Sequence, residues 1–387
     1  MNNQSTLASK ITLLSGQHIE VVNCNALKKG IPYLTGPSDF SGKIPVASKY
    51  TEHPKVCCQK GDILLTVKGS GTGSIAIADK EYCISRQLMA IRCKDISLNF
   101  IQYLLEYNER NFNSAASGLI PGISRIDVLK LKIPSLKQSE QTAIAALLST
   151  WDQTIEKTVR LITAKEKCFH ALKQDLLTGN KRIKGYNKSW QRYRLSEVLV
   201  EHGSLSTGRE KVYSVSVHKG LVNQIEHLGR SFAAKSTAHY NVVKSGDIVY
   251  TKSPTGDFPS GIIKQSQLNF PVIVSPLYGV FTPKTPQLGT FLHYYFDSPV
   301  NIGNYLRPII QKGAKNTISI TNSAFLTNSL YLPTCDDETK SIATTLNITR
   351  QEIDLLKKQA NAYRRQKRGL MQKLLTGLWR VKAEGGN

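Results

Sequence analysis

The chain has 387 residues, more than one ordinary domain, and its 40% hydrophobic content is enough to build real cores. Its 51 Lys and Arg against 28 Asp and Glu give a formal charge of +23, which points to a polyanionic partner. No apolar run could cross a bilayer, the opening residues lack the apolar stretch of a secretory signal, and the seven cysteines include no Cys-x-x-Cys pair, so a membrane protein and a disulfide-stapled secreted domain are set aside and a cytoplasmic location is expected.

In chain order, residues 1–136 read as a first, β-rich mixed domain. Strands are expected at 11–14, 18–22, 62–68, 74–78, 88–92 and 131–133, separated by Gly, Pro, Asn and Ser. A helix is expected over 98–109, capped by Ser97, with Phe100, Ile101, Leu104 and Leu105 on its apolar face. A long helix follows within 137–179, with Ile144, Leu148, Trp151, Ile155, Ile162, Phe169, Leu172 and Leu176 stepping by threes and fours along one stripe. A basic connector, 180–189, leads to a second domain at 190–335. There strands are expected at 212–217, 247–251, 262–263, 272–274, 278–281 and 329–332, with a helix over 287–297. A second long helix lies within 336–378, its stripe formed by Ile342, Leu346, Ile353, Leu356, Tyr363, Leu370 and Leu374, and 379–387 is a tail.

The two long helices are copies. The segment from Glu140 to Gly179 aligns without a gap to Glu338 to Gly377 at an offset of 198 residues, and both end in Leu-Leu-Thr-Gly. The domains share a framework as well. Lys60-Gly61-Asp62-Ile63 and Ser245-Gly246-Asp247-Ile248 each open an apolar strand and are followed by a Gly- and hydroxyl-rich loop. Gly118 stands as far before Ile123-Ser124 as Gly313 before Ile318-Ser319, and each domain leaves through Ile133-Pro134 or Leu332-Pro333 into its helix. The fold class is therefore α+β: two β-rich domains and two long helices that pack antiparallel as a coiled coil, in a pseudo-two-fold repeat.

A catalytic constellation is not found. The 68–74 loop has neither a phosphate-loop pattern nor a dinucleotide fingerprint, and the eight histidines show no metal-protease spacing. No Asn/Asp-Pro-Pro-aromatic tetrapeptide of an amino-methyltransferase occurs, and no carboxylate–Lys nuclease cluster, so no catalytic residue and no metal site is assigned. Asp62 and Asp247 read as turn residues that satisfy nearby amides. What remains is recognition. Base edges and phosphates are met by Arg, Lys, Gln, Asn, Ser and Thr on loops. The candidates are Lys68, Ser70 and Thr72, then Arg86 and Gln87 after Ser85, and Ser124 with Arg125 in the first domain. In the second they are Lys252, Ser253 and Thr255, Gln311 with Lys312, and Lys315 with Asn316. Two other classes stay open: a coiled-coil scaffold that binds no DNA, and a self-contained nuclease or methyltransferase.

The doubled order of apolar-Pro, Gln- or acid-rich start, long helix and Leu-Leu-Thr-Gly, each after a Gly-Asp-Ile domain, resembles the specificity subunit of type I restriction–modification enzymes. The resemblance rests on residues 133–179, 332–377, 61–79 and 246–256 and spans nearly the whole chain. It implies two target-recognition domains, each reading half of a split, asymmetric site in double-stranded DNA. It also implies two methyltransferase subunits docked near the helices, with restriction and motor subunits in the larger complex. It places S-adenosylmethionine, ATP and magnesium on those partners and none in this chain, which is then a non-catalytic subunit. A helix of roughly 37 residues spans about 55 Å, or about 16 base pairs, which suits a site with an unread spacer. One departure is the opening of the first domain: the second begins WQRYRLSEVLVEHG from Trp190, whereas the first has no Trp-led equivalent, as if its N-terminus diverges or starts late.

Overall fold

The computed structural model describes residues 5–69, 71–115, 122–229, 236–253, 255–312 and 318–381. They form two compact units. One comprises residues 1–160 with 357–387, the other 161–356, so each long helix gives one half to each unit.

In the first unit, a four-stranded antiparallel sheet runs in the order Ile11–Ser15, Leu88–Cys93, Ile63–Thr66, Ile75–Ile77. The helix Leu98–Ala115 covers it, burying Phe100, Ile101, Leu104 and Leu105 at 2% exposure or less. In the second unit the same order returns as Leu199–Glu201, Gly279–Pro283, Ile248–Thr251, Ile262–Gln265, again antiparallel throughout. Here the covering helix is Pro286–Tyr295, whose start is fixed by Pro286 in the first turn and by Thr285 accepting from Leu288 N–H at 3.2 Å.

The Gly-Asp-Ile turns repeat down to single bonds. Gly61 and Gly246 sit at φ +90° and +84°, a region open to glycine without strain. Asp62 Oδ2 then accepts from the Gln59 amide at 2.8 Å, and Asp247 Oδ2 from the Lys244 amide at 2.7 Å. The remaining carboxylate capacity is spent differently: Arg92 makes a two-pronged contact to Asp62, whereas His202 and Thr282 bond Asp247.

The domains part company in their second layers. The first has a sheet in the order Lys49–Thr51, Ile31–Leu34, Tyr82–Ile84, Cys57–Cys58, with a parallel central pair. The second has the pair Asn241–Val243 and Val272–Val274 and a separate hairpin, Tyr213–Ser216 with Gly220–Asn223. Two expectations need correction. Residues 18–22 are not a strand, because Ile19 turns inward while Val21 and Val22 stand 81% and 83% exposed on a short 3-10 turn, Val21–Asn23. The first domain does have an opening strand, Ser5–Thr6, which pairs with Lys132–Ile133 as Gln191–Arg194 pairs with Ser329–Leu332 in the second. Gly118 and Gly313 lie outside the described residues.

The long helices are Gln138–Thr178 and Asp336–Leu375. Their stripe is buried chiefly at its two ends. In the first unit Ile144 and Leu148 share one core with Met371, Leu374 and Leu375 and with the domain's sheet, and Leu370 packs at its edge. In the second unit Phe169 and Leu176 share a core with Ile342, Leu346 and Ile353, with Leu172 at its edge. Within each unit, then, the start of one helix meets the end of the other, which makes the packing antiparallel. Each fully buried Ile or Leu contributes about 1.5–3 kcal/mol. Ile162 is also buried, whereas Trp151, Ile155, Leu356 and Tyr363 are only half-buried, with Trp151 and Tyr363 in an edge-on contact at 5.8 Å.

An ion pair repeats at the same offset of 198 residues and ties the segment after each helix to the start of the other. Arg182 grips Glu338 through Nε and Nη2 at 2.5 and 2.6 Å, and Arg380 holds Glu140 at 3.0 and 3.3 Å. The sequence around both arginines agrees, Arg182-Ile183-Lys184 against Arg380-Val381-Lys382, so the start of the tail is the counterpart of the connector.

Candidate nucleic-acid interface

In the first unit the backbone at Val67–Lys68 gathers three of the candidate groups. Val67 N–H donates to the Gln87 carbonyl at 2.8 Å, Ile123 N–H donates to the Val67 carbonyl at 2.9 Å, and Lys68 forms a β-bridge with Gly122. Lys68, Arg86–Gln87 and Ser124–Arg125 therefore sit on one edge of the domain, although 38 residues separate Arg86 from Ser124 in sequence.

Their side chains are not equally available. Arg86 and Gln87 are exposed, and neither has a side-chain hydrogen-bond or ion-pair partner among the described residues. Gln87 lies over Gly36, where an added Cβ would come within 2.4 Å of its Oε1, so the close approach depends on that glycine. Lys68 is exposed as well. Ser124, by contrast, caps a short helix, Arg125–Leu129: its hydroxyl donates to Asp127 at 2.7 Å and accepts from the Asp127 amide at 3.2 Å. Arg125 donates to the Leu13 carbonyl and to Ser15 at 3.2 and 3.0 Å, which makes it a brace between helix and sheet. Thr72 is buried and its hydroxyl donates to the Gly69 carbonyl at 2.6 Å, while Ser70 lies outside the described residues.

In the second unit Lys252 is half-buried, and burial pulls its ammonium below the usual lysine range while Glu201 pulls it back up. Ser253 and Thr255 are exposed. Ser253 N–H donates to Thr251 Oγ1 at 3.3 Å, and the Thr255 backbone pairs with Phe258 across a tight turn. Gln311 and Lys312 form a short strand paired with Ile318–Ser319, a backbone placement only, and Lys315 and Asn316 lie outside the described residues.

Sequence reasoning missed the loop at 20–30. Its residues Val21, Cys24, Asn25 and Ala26 line an open cleft of about 420 Å³ in the first unit, together with His18, Lys49, Arg86 and Gln87. The available signal was a Val21-Val22 pair set between polar residues and followed by Lys28-Lys29. Among the described residues, no group of three or more His, Cys, Asp or Glu is placed to hold a metal ion, and no helix is long and apolar enough to cross a membrane.

Comparison with known proteins finds similarity over part and over nearly all of the chain. Residues 17–164 match the family described as "Type I restriction modification DNA specificity domain". The chain is 25% identical over 404 aligned positions to the type I restriction enzyme MjaVIII specificity subunit of Methanocaldococcus jannaschii, covering 96% of this chain and 91% of that one. A second protein of that organism, provisionally named type I restriction enzyme MjaX specificity subunit, is 29% identical over 175 residues, which are 44% of this chain and 41% of that protein. Among solved structures, the S subunit of a type I restriction–modification system from M. genitalium superimposes with TM-score 0.56 at 17% identity, covering 96% of both chains. A chain from a structure of the type I R-M system, described by its complex assembly and conformational transition, gives 0.59 at 13% identity, covering 96% of this chain and 97% of that one. With its doubled domain-and-helix order and a specificity-domain match over residues 17–164, the chain is similar to type I restriction–modification specificity subunits in sequence and shares the fold of solved S subunits.

Proposed function

We propose that this chain is the DNA-recognition subunit of a type I restriction–modification complex, in which each domain reads one half of a bipartite, asymmetric site in double-stranded DNA. The observation that carries the reading is the repeat itself. Two units share the order of their central sheets and their Gly-Asp-Ile turns, yet differ in their second layers. A common frame with unlike outer parts is what two readers of different sequence need. The surplus of 23 positive charges supplies the phosphate attraction that holds such a subunit on DNA.

The long helices set the spacing and dock two methyltransferase subunits. Their buried stripe is occupied within the units, so a partner meets the other faces, where Ile348 and Leu355 are 61% and 64% exposed and the basic runs at 157–173 and 364–373 lie. The chain itself performs no chemistry. Adenine methylation with S-adenosylmethionine belongs to the methyltransferase partners, and ATP- and magnesium-dependent translocation and cleavage to the restriction subunits, all acting in the cytoplasm.

Sequencing of modified bases in cells with and without the gene tests this. A split sequence modified only when the gene is present supports the reading; an unchanged modification pattern, with the partner genes expressed, would defeat it.

A further inference from the structure

The loop at 20–30 is built to hold its shape. Asn25 Oδ1 accepts from the amides of Leu27 and Lys29 at 3.0 and 3.1 Å, and Asn25 Nδ2 donates to the Lys29 carbonyl at 3.0 Å. The Asn25 backbone also exchanges two 2.8 Å bonds with Tyr50. Lys28 is kept at φ +59°, the one non-glycine in the left-handed region among the described residues, a conformation that survives only where its surroundings impose it and that clusters at functional sites.

On this frame Val21, Val22 and Leu27 are 81%, 83% and 74% exposed. Scattered exposed apolar side chains are ordinary and need no explanation. These stand on a braced loop, and Val21 shares a cleft with polar side chains that the fold leaves unused. Val21 lines the 420 Å³ cleft together with Arg86 and Gln87. The lining includes the cations Lys49 and Arg86, and the loop that contributes Val21 also carries Lys28 and Lys29 against Glu20 and, in the Lys49 segment, Glu52; all six are exposed.

We infer that this cleft is the base-reading surface of the first domain, with Arg86 and Gln87 bonding purine edges in the major groove and the Val21–Val22 pair lying against thymine methyl groups. The inference rests on the proposed function and deepens it. Arg meets the O6 and N7 acceptors of guanine, Gln meets N6 and N7 of adenine, and a small branched apolar side chain fits the thymine methyl. Lys28, Lys29 and Lys49 then serve as phosphate contacts that fix the register without reading sequence. A protein partner covering the same valines would have to compensate those lysines, whereas DNA brings the opposite charge with it.

The test is selection from a randomised duplex library by the chain assembled with the methyltransferase subunits of its own system, for the wild type, Arg86→Ala, Gln87→Ala and Val21→Ala/Val22→Ala. Each variant is expected to relax one or two positions of the same half-site (G for Arg86, A for Gln87, T for the valines) by roughly tenfold to a hundredfold, with the other half-site unchanged. An enriched sequence that stays the same in all three would overturn the inference and leave the proposed function standing. Uniform weakening without relaxation at any position would overturn it too. So would failure of a Val21→Asp/Val22→Asp variant to assemble with the methyltransferase subunits, which would mark a protein-docking face. If the wild type itself enriches no split sequence, both readings fall.

Discussion

Replacing Glu338 by Ala should destabilise the second unit far more than replacing Glu140 by Ala destabilises the first, although the two residues are counterparts in the repeat. The Glu338 side chain is fully buried, is held two-pronged by Arg182, which is 26% exposed, and accepts a third bond from Trp190 Nε1 at 3.2 Å. Its removal leaves a largely buried guanidinium with the Lys188 carbonyl as its remaining hydrogen-bond partner, at 2.8 Å, and an indole N–H without one. Breaking one side of a buried pair costs about 3–5 kcal/mol, and the partial exposure of Arg182 places this case near 3. Glu140 is 13% exposed but its partner Arg380 is 56% exposed, so that pair is worth about 0.2–1 kcal/mol. Glu140 also accepts from the Lys137 amide at 2.9 Å as a helix cap, which adds about 1 kcal/mol. The expected gap is thus about 1–2 kcal/mol. Denaturant-dependent hydrogen exchange, read on peptides from each unit, measures both losses in one molecule. Equal costs, or a larger one at Glu140, would refute the argument from burial.

Further outcomes follow from individual groups. Asp297→Asn should cost about 2 kcal/mol, because it leaves Lys264 and Lys173, 4% and 15% exposed, without the carboxylate they share at 2.5 and 2.7 Å; equilibrium unfolding measures this. His293 is kept neutral by burial, reinforced by Lys264, with its pKa pushed down to about 4, and its Nδ1 accepts from the Gln265 amide at 3.1 Å. The unfolded chain takes up that proton first, near the ordinary histidine value of about 6.5. Stability should therefore fall as pH drops from about 6.5 towards 4, by on the order of 3 kcal/mol, and His293→Gln should flatten the slope in that window. Lys68→Ala should weaken DNA binding for all sequences alike and lower the salt slope by about one. Lys252→Ala should do less, because that ammonium is half-buried beside Glu201; a salt titration of affinity compares the two.

The repeated frame was legible because its signals are local. Gly-Asp-Ile turns, apolar strands of four or more residues and a 3-and-4 stripe all write themselves into neighbouring residues. The sheet built on Ile31–Leu34 and Tyr82–Ile84 was not, since its strands are two to four residues long, one contains Pro32, and its parallel pair joins residues 50 apart. The apolar spacing of Ile19 and Val21 imitated a strand, and only the fold shows that Ile19 is buried and the valines are not. At the site, Ser124-Arg125-Ile126-Asp127 was readable as a capping box and so as structure rather than recognition. The convergence of Lys68, Arg86 and Arg125 on one edge was beyond sequence, because it is made by two backbone bonds at Val67. The stripe on the long helices predicted packing correctly, but not that the domain cores take up its ends.

The central claim, that two independent readers share one frame, is tested most directly by exchanging residues 190–335 for the second domain of a type I specificity subunit and sequencing the modified bases of cells that carry the hybrid. The account predicts that one half of the split sequence changes to that of the donor and the other half stays as it was. A change in both halves, or in neither while modification persists, would contradict it.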